Sequence, residues 1–451
     1  MPRLEVAVAG DCMPSRGALI TSDPYAVRLR DLLRGTDFAV ANLETLVSGW
    51  DSYPAFDRWG GHLIAGAAVI DELRDLGLDA VGGANNHCMD MGTGGLLTAM
   101  DALKRHRLPF AGIGCDLPDA RRPVYVDRPH GSLALISCSA SFAPGAQAAA
   151  AGGLMRGRPG LNPLHHQAIV HVTGDQLAAL RDIELTTGLA AQRRAGEELL
   201  GGGADPGRLR LGDLLFRRAE APGLATVCDL TDVLEISAWV ADARQRADVV
   251  VVSVHSHEQG AAPNQPAAFL RTFARLMVDA GADIVAGHGP HRLRGMELYR
   301  GRPIFYSLGN LISQIDLTER VPAEDLVRFG CHPGETTPAE FFRTRSDDDR
   351  VLFGAHRRYW QTVVPVVSLD DEGPAEVTLY PVSLGFGQPV RHRGRPVLAH
   401  GPEAAEILTE FAGLSAEFDT KVTMTTAGQL DVGHVAIGPD PAAAAPGGGH
   451  R

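Results

Sequence analysis

The chain has 451 residues, 45% hydrophobic and 21% charged, an ordinary composition for a soluble globular protein of two domains or one large α/β unit with insertions. Its 42 Lys and Arg against 54 Asp and Glu leave a net charge of −12, which argues against nucleic acid held on a general basic surface. No run approaches the roughly 18 apolar residues of a membrane span, and no signal-peptide pattern precedes the first strand, so a cytoplasmic protein without a membrane partner is expected.

In chain order, Leu4–Ala9 reads as a core strand that ends in Gly10-Asp11-Cys12-Met13. A helix is expected from Pro24 to Leu33, then a strand at Phe38–Ala41 that delivers Asn42-Leu43-Glu44. A helix over 65–76 stops at Gly77. The strand 79–84 follows and delivers Asn85-Asn86-His87, then a helix over 93–107 and strands near Phe110 and at 133–137. Strand, polar cluster and helix recur three times, the rhythm of an α/β fold with its site at the carboxyl ends of its strands. Residues 140–235 break it: they are Ala-, Gly- and Arg-rich, with a helix over 174–189 and a flexible Gly201–Gly203, and read as an insertion that could roof the site or stay partly disordered.

The rhythm resumes with a helix over 231–247 and the Val-rich core strand 248–254, which delivers His255-Ser256-His257-Glu258. A helix over 266–280, capped at Gly281, leads into strand 284–286. The turn Gly287-His288-Gly289-Pro290-His291 follows, then a strand at 304–308 ending in Gly309-Asn310. The expected organisation is a core over 1–312 that includes the 140–235 insertion, a second insertion over 313–360, strands and a helix over 361–438 that complete the fold, and a disordered tail over 439–451. Six scattered cysteines without a CxxC pair read as free thiols.

Five strand ends thus carry potential ligands: Asp11, Glu44, Asn85-Asn86-His87, His255 with His257, and His288 with His291. One acid or histidine at a strand exit is ordinary capping or core hydrogen bonding, but five such clusters are hard to attribute to capping. Mixed carboxylate, amide and imidazole donors suit Mn²⁺, Zn²⁺ or Fe²⁺ better than Ca²⁺. Asp90 and Gly92 read as caps of the following helix, His165, His166 and His171 as surface residues, Asp347–Asp349 as a solvated loop, and Tyr306-Ser307 as core strand.

The ordered series Gly10-Asp11-x-Met13, Asn42-Leu43-Glu44, Ala84-Asn85-Asn86-His87-x-x-Asp90-x-Gly92, Gly287-His288-x-Pro290-His291 and Tyr306–Asn310 resembles the CapA family, linked to poly-γ-glutamate capsule biosynthesis, within the calcineurin-like metallophosphoesterase superfamily. The resemblance implies a four-layer fold, two sheets face to face with helices outside, and one or two divalent ions. It places Asp11, Glu44, Asn86, His255, His288 and His291 on metal-ligand positions, with Asn85 either the ligand in place of Asn86 or a substrate contact, and His87 on the general-acid position. Three departures matter: Met13 stands where a ligand histidine is usual, Glu44 where a bridging aspartate is usual, and His255-Ser256-His257 where the family has His-Trp-Gly. They imply a histidine-rich site better suited to acid/base work beside a metal than to two-metal phosphoester cleavage.

The chain also resembles the soluble CapA-like relatives found among lasso-peptide tailoring enzymes, one of which epimerises a peptide's C-terminal residue. This resemblance implies α-proton exchange, with the peptide's free carboxylate held by Arg16 or Arg294, Arg292 beside it, and His87, His257 and Asp11 as candidate bases. The alternative is hydrolysis of a phosphoester, γ-glutamyl or peptide amide bond. A scaffold that only binds peptide or glutamyl polymer is disfavoured by so many titratable groups at strand ends. The partner expected is a peptide, with self-association into a homo-oligomer left open.

Overall fold

The computed structural model describes residues 3–17, 19–55, 61–200, 205–370 and 373–437. The expected tail over 439–451 and the glycines 201–203 lie outside the described residues. The elements that build the site are strands β1 (Leu4–Met13), β2 (Phe38–Leu43), β3 (Ala80–Gly82), β4 (Gly131–Ser139), β5 (Val249–His255), β6 (Ile284–His288), β7 (Leu293–Tyr299), β8 (Arg302–Leu308), β9 (Asn310–Ser313), β10 (Gln361–Asp370) and β11 (Gly373–Ser383). The helices that cover them are α1 (Pro24–Gly35), α2 (Ala68–Leu76), α3 (Gly92–Arg105), α4 (Leu230–Arg244), α5 (Ala268–Ala280), α6 (Ala323–Arg328) and α7 (Gly401–Ala416).

Two mixed sheets stack face to face. The larger runs 423–427, 430–436, β11, β10, β1, β2, β3, 110–111, with β9 parallel to the end of β1; the smaller runs β7, β8, β6, β5, β4, 124–128. Alternation along β1 explains the stacking. Val6 and Val8 point into a core shared with Leu133, Val251, Ile284 and Phe305 of the other sheet. Ala7 and Ala9 point the other way, onto Leu29, Leu33, Ile70, Leu73 and Leu103 of α1, α2 and α3. On the far side Val250, Val252 and Val254 of β5 pack on Ile236, Val240 and Phe273 of α4 and α5. Strands covered on both faces need near-continuous apolar sequence, which is why Val249–Val254 carries one hydroxyl and no charge. The result is the four-layer α/β fold that the resemblance implied.

The parallel strands β1, β2, β3 and β4, β5, β6 end at the same rim, as the register of their pairings shows: Asp11 lies opposite Asn42 and Asn310, and His255 opposite His288 and Ser139. Helices α2 and α5 end where the sequence placed them, on Gly77 and Gly281 in left-handed conformations that take the last-turn carbonyls.

The two loop-rich insertions carry more structure than expected. Residues 166–228 form a four-stranded sheet with helices at 174–186 and 189–200 around a small core of Val172, Leu177 and Leu209. Residues 323–346 form α6 and a helix at 338–346 around Leu326, Phe341 and Phe342. Strand β7 was not foreseen; it folds back on β8 through a two-residue turn, Arg300-Gly301, both at positive φ. Among the described residues no helix is long and apolar enough to cross a membrane, and the cysteines form no disulfide.

Candidate metal centre

Each sheet supplies mainly one kind of donor to the shared rim. The larger sheet brings carboxylates and amides, Asp11 from β1, Asn42 from β2, Glu44 just past it and Asn85 past β3, and with them one imidazole, His87. The smaller sheet brings imidazoles: His255 ends β5, His257 follows it, His288 ends β6 and His291 follows in the turn. Asp11, Glu44, Asn42, Asn85 and His255 are completely buried.

Glu44 is the meeting point. Its Oε1 lies 3.6 Å from His255 Nε2, 3.7 Å from His291 Nε2 and 4.0 Å from His257 Nε2. Two overlapping groups with metal-ligand spacing result, Glu44–His255–His257 and Asp11–Glu44–His291, with Glu44 common to both. Asp11 is held from three directions: Asn42 Nδ2 donates to Oδ1 at 2.7 Å, the Gly289 amide to Oδ2 at 3.0 Å, and His288 Nδ1 stands 3.4 Å from Oδ1. Gly289 has φ +109, and a Cβ there would press on the Ser256 backbone at 3.0 Å, so the turn requires glycine to bring its amide to Asp11.

Electrostatics test whether a cation fits. Burial raises the Asp11 pKa, but hydrogen bonding and charge from His288, with charge from His255 and His291, outweigh it and hold the carboxyl below the usual range. Burial and then the neighbouring Asp11 push Glu44 the other way, well up. Burial also lowers His255 and His291, and it takes His257 to about 3 together with the charges of His291 and Arg294. Those three imidazoles are therefore neutral near pH 7, the form that ligates metals. Neither oxygen of the buried Glu44 carboxylate has a hydrogen-bond partner among the described residues. An orphaned carboxylate facing neutral imidazole nitrogens fits a divalent ion, and this donor set suits Mn²⁺, Zn²⁺ or Fe²⁺. Asn310 supports the centre from behind: His291 Nδ1 donates to its Oδ1 at 2.9 Å, which turns Nε2 toward Glu44, and its own amide is anchored on the Tyr359 carbonyl.

Several expected residues find other places. Asp90 is not the cap of α3: residue 91 precedes the helix and makes no side-chain cap bond, whereas the Asp90 carboxylate takes His87 Nδ1 at 2.8 Å and the Leu63 amide at 2.6 Å. The turn after β3 brings the Asp90 amide back to the His87 carbonyl at 3.2 Å, which sets the carboxylate beside the ring. Asp90 fixes the His87 ring through its Nδ1. His87 adjoins the cluster, since its charge lowers the pKa of both His257 and His291. Asn85, weighed as ligand or substrate contact, is completely buried, with its amide donated to Asn42 and the Leu43 carbonyl and its oxygen accepting the His87 amide; it positions the rim. Asn86 beside it is half-buried. Arg16 is half-exposed and faces Glu319 at 3.7 Å in a separate groove with Thr318, Pro338 and Arg391.

Arg294 is 1% exposed, and its Nη1 has no hydrogen-bond partner among the described residues; burial lowers its pKa to about 10, with Arg292 adding to the effect. Of the histidines read as surface residues, His165 pairs with Asp232 at 2.6 Å, and His166 stacks on Phe269 with ring centroids 4.3 Å apart. Within 347–349, Asp349 pairs with Arg393. Tyr306 and Ser307 are buried strand residues of β8, as read. Asn42, Asp90 and Asn310 are functional positions that sequence reasoning missed. All three stand in the quoted motifs; Asn42 and Asp90 lie two and three residues from a recognised donor, an adjacency that was the available signal, whereas Asn310 has no donor near it in the chain.

Comparison with known proteins gives one family and a graded set of relatives. Residues 5–315 match the family described as bacterial capsule synthesis protein PGA_cap. An uncharacterized protein, y4uA, of Sinorhizobium fredii is 31% identical over 430 residues, 93% of this chain and 91% of that protein. The PGA biosynthesis protein CapA of Bacillus subtilis is 25% identical over 282 residues, 62% of this chain and 54% of that one. The capsule biosynthesis protein CapA of Bacillus anthracis is 24% identical over 318 residues, 69% and 60% respectively.

Proposed function

The chain belongs to the bacterial capsule synthesis protein (PGA_cap) family, and from that premise we propose that it is a metal-dependent acid/base enzyme that epimerises the α-carbon of a peptide's C-terminal residue. The observation that carries the reading is the His87–Asp90 pair, an oriented imidazole beside the ligand cluster and outside both ligand groups. Asp11, Glu44, His255, His288 and His291 are the residues that would hold the ion, Mn²⁺, Zn²⁺ or Fe²⁺. A bound divalent ion supplies positive charge against the electron pair that develops when the α-proton leaves.

Arg294, buried with Nη1 unbonded among the described residues and only the negative charge of Glu258 acting on it there, suits the substrate's free carboxylate, with Arg292 beside it. Inversion needs a proton removed from one face of the carbon and another delivered to the opposite face. His87 comes from the larger sheet and His257 from the smaller, and His257 is the most exposed of the cluster histidines, so one can take the proton while the other returns one. The C–H bond breaks and re-forms with inverted configuration, and a solvent proton replaces the original.

One observation favours a second reading. Glu44 is shared by two ligand groups, an arrangement that also suits two ions and hydrolysis of a phosphoester, γ-glutamyl or peptide amide bond. Incubation of peptides in D₂O separates the two. Deuterium at the C-terminal α-carbon, lost in His87→Ala and in Asp11→Ala, supports epimerisation; phosphate or amine release without exchange assigns the protein to the hydrolases.

A further inference from the structure

The most completely buried histidine–carboxylate pair outside the metal centre joins two segments that the chemistry leaves unused. Asp325 stands on α6, in the 313–360 insertion, and is 2% exposed; His62 precedes Leu63 in the core and is 7% exposed. Asp325 Oδ2 accepts the His62 amide at 3.1 Å and lies 2.7 Å from His62 Nδ1, while His62 Nε2 is 3.0 Å from the Ala55 carbonyl. Both ring nitrogens thus face oxygens, and Asp325 raises the His62 pKa against the opposing effect of burial. Gly61, at φ +94, makes the turn that presents this amide to Asp325.

The residues that His62 ties down are the ones that grip Asp90. Ala55, whose carbonyl meets His62 Nε2, donates its amide to the Asp90 carbonyl at 2.8 Å. Leu63, next in the chain after His62, donates its amide at 2.6 Å to Asp90 Oδ2, the same oxygen that takes His87 Nδ1 at 2.8 Å. One carboxylate oxygen is thereby fixed between a backbone amide and the imidazole. The placement of that amide depends on a side chain in the insertion. The pairs of Arg393 with Asp316 and Asp349, which also tie the insertion to the rest of the chain, involve none of these residues.

We infer that His62 and Asp325 are positioning residues for His87: the insertion sets the orientation of the acid/base imidazole through Leu63 and Asp90. The inference takes its interest from the proposed role of His87, but its test needs neither substrate nor metal.

In metal-free protein labelled with ¹⁵N-histidine, the hydrogen-bonded Nδ1 proton of His87, assigned by its disappearance in His87→Gln, reports the His87–Asp90 bond directly. Asp325→Asn is expected to speed exchange of that proton with solvent about tenfold or more, the effect of weakening one buried hydrogen bond by about 1.4 kcal/mol. Asp316→Asn, which loosens the insertion elsewhere, is expected to leave it unchanged. His62→Gln, with Asp325 intact, gives the same reading as Asp325→Asn and serves should Asp325→Asn lose its near-ultraviolet circular dichroism. Wild-type exchange in folded Asp325→Asn or His62→Gln overturns the inference, as does equal acceleration in Asp316→Asn. Absence of α-proton exchange in the wild-type enzyme would remove the proposed reaction and leave this result standing.

Discussion

The two sheets reach the same rim with opposite chemistry. The larger delivers oxygen: two completely buried carboxylates, Asp11 and Glu44, and the amides of Asn42 and Asn85 that wire them together. The smaller delivers nitrogen: His255, His257, His288 and His291, of which burial keeps His255, His257 and His291 neutral. Within the acidic half Asp11 is compensated by hydrogen bonds, whereas the Glu44 carboxylate has none among the described residues. The chain thus folds one uncompensated carboxylate against a set of lone pairs, an arrangement that costs stability unless a cation joins the halves.

The difference can be broken most severely at Glu44. Glu44→Gln keeps the shape and removes the charge, and a loss of metal-dependent turnover of about a thousandfold or more is expected, since metal-derived stabilisation is worth several kcal/mol. The same substitution has the opposite effect on the metal-free fold. The Glu44 pKa is raised above its unfolded value, so its stability contribution is fully present below about pH 4.5 and is lost as pH rises through the folded value. At neutral pH, metal-free Glu44→Gln should therefore be more stable than the wild type, by about 1–3 kcal/mol in urea unfolding. A variant no more stable than wild type would mean that Glu44 is satisfied without an ion.

His87→Gln sharpens the comparison from outside the ligand set. Turnover is expected to fall by about 10²–10⁴, with metal affinity, measured by titration calorimetry, within about threefold of wild type. A parallel loss of affinity would move His87 among the ligands. Asn310→Ala tests the support behind the nitrogen half: freeing the His291 ring should weaken metal binding about 10–100-fold and leave the oxygen half intact.

The smallest effect expected is pH dependence on the nitrogen side. The His257 pKa, about 3, is depressed, so the stability it contributes is present above the unfolded imidazole value and falls away as pH drops from about 6.5 toward 3. Metal-free His257→Gln should flatten this decline in urea midpoints. One third of the His257 side chain reaches solvent, which screens the effect and keeps it below that of Glu44.

Legibility in the sequence divides along the same line. Donors that end strands were readable, because an apolar run followed at once by Asp, Glu or His has one structural meaning in an α/β fold. Helix ends at Gly77 and Gly281 were readable for a local reason, the left-handed conformation. What escaped was decided by distant partners. Asp90 sits where a cap would, and only the return of the turn onto His87 gives it another role. Asn310 closes its motif without sign that it faces His291, nineteen residues earlier. Strand β7 carries Arg294 and Glu297, charges that disguise a buried strand; Glu297 is accommodated there by Arg275 and Tyr306. The 166–228 sheet was hidden by composition, Ala-, Gly- and Arg-rich around a core of a few residues.

The claim that a cation joins the two halves through Glu44 is tested most directly by thermal unfolding of metal-free protein at pH 7, with and without Mn²⁺, Zn²⁺ or Fe²⁺. At least one of these ions is expected to stabilise the wild type, by about 2.7 kcal/mol at a hundredfold excess over its Kd, and none to stabilise Glu44→Gln. A wild type indifferent to all three ions, or a Glu44→Gln variant stabilised as much as wild type, would contradict that claim.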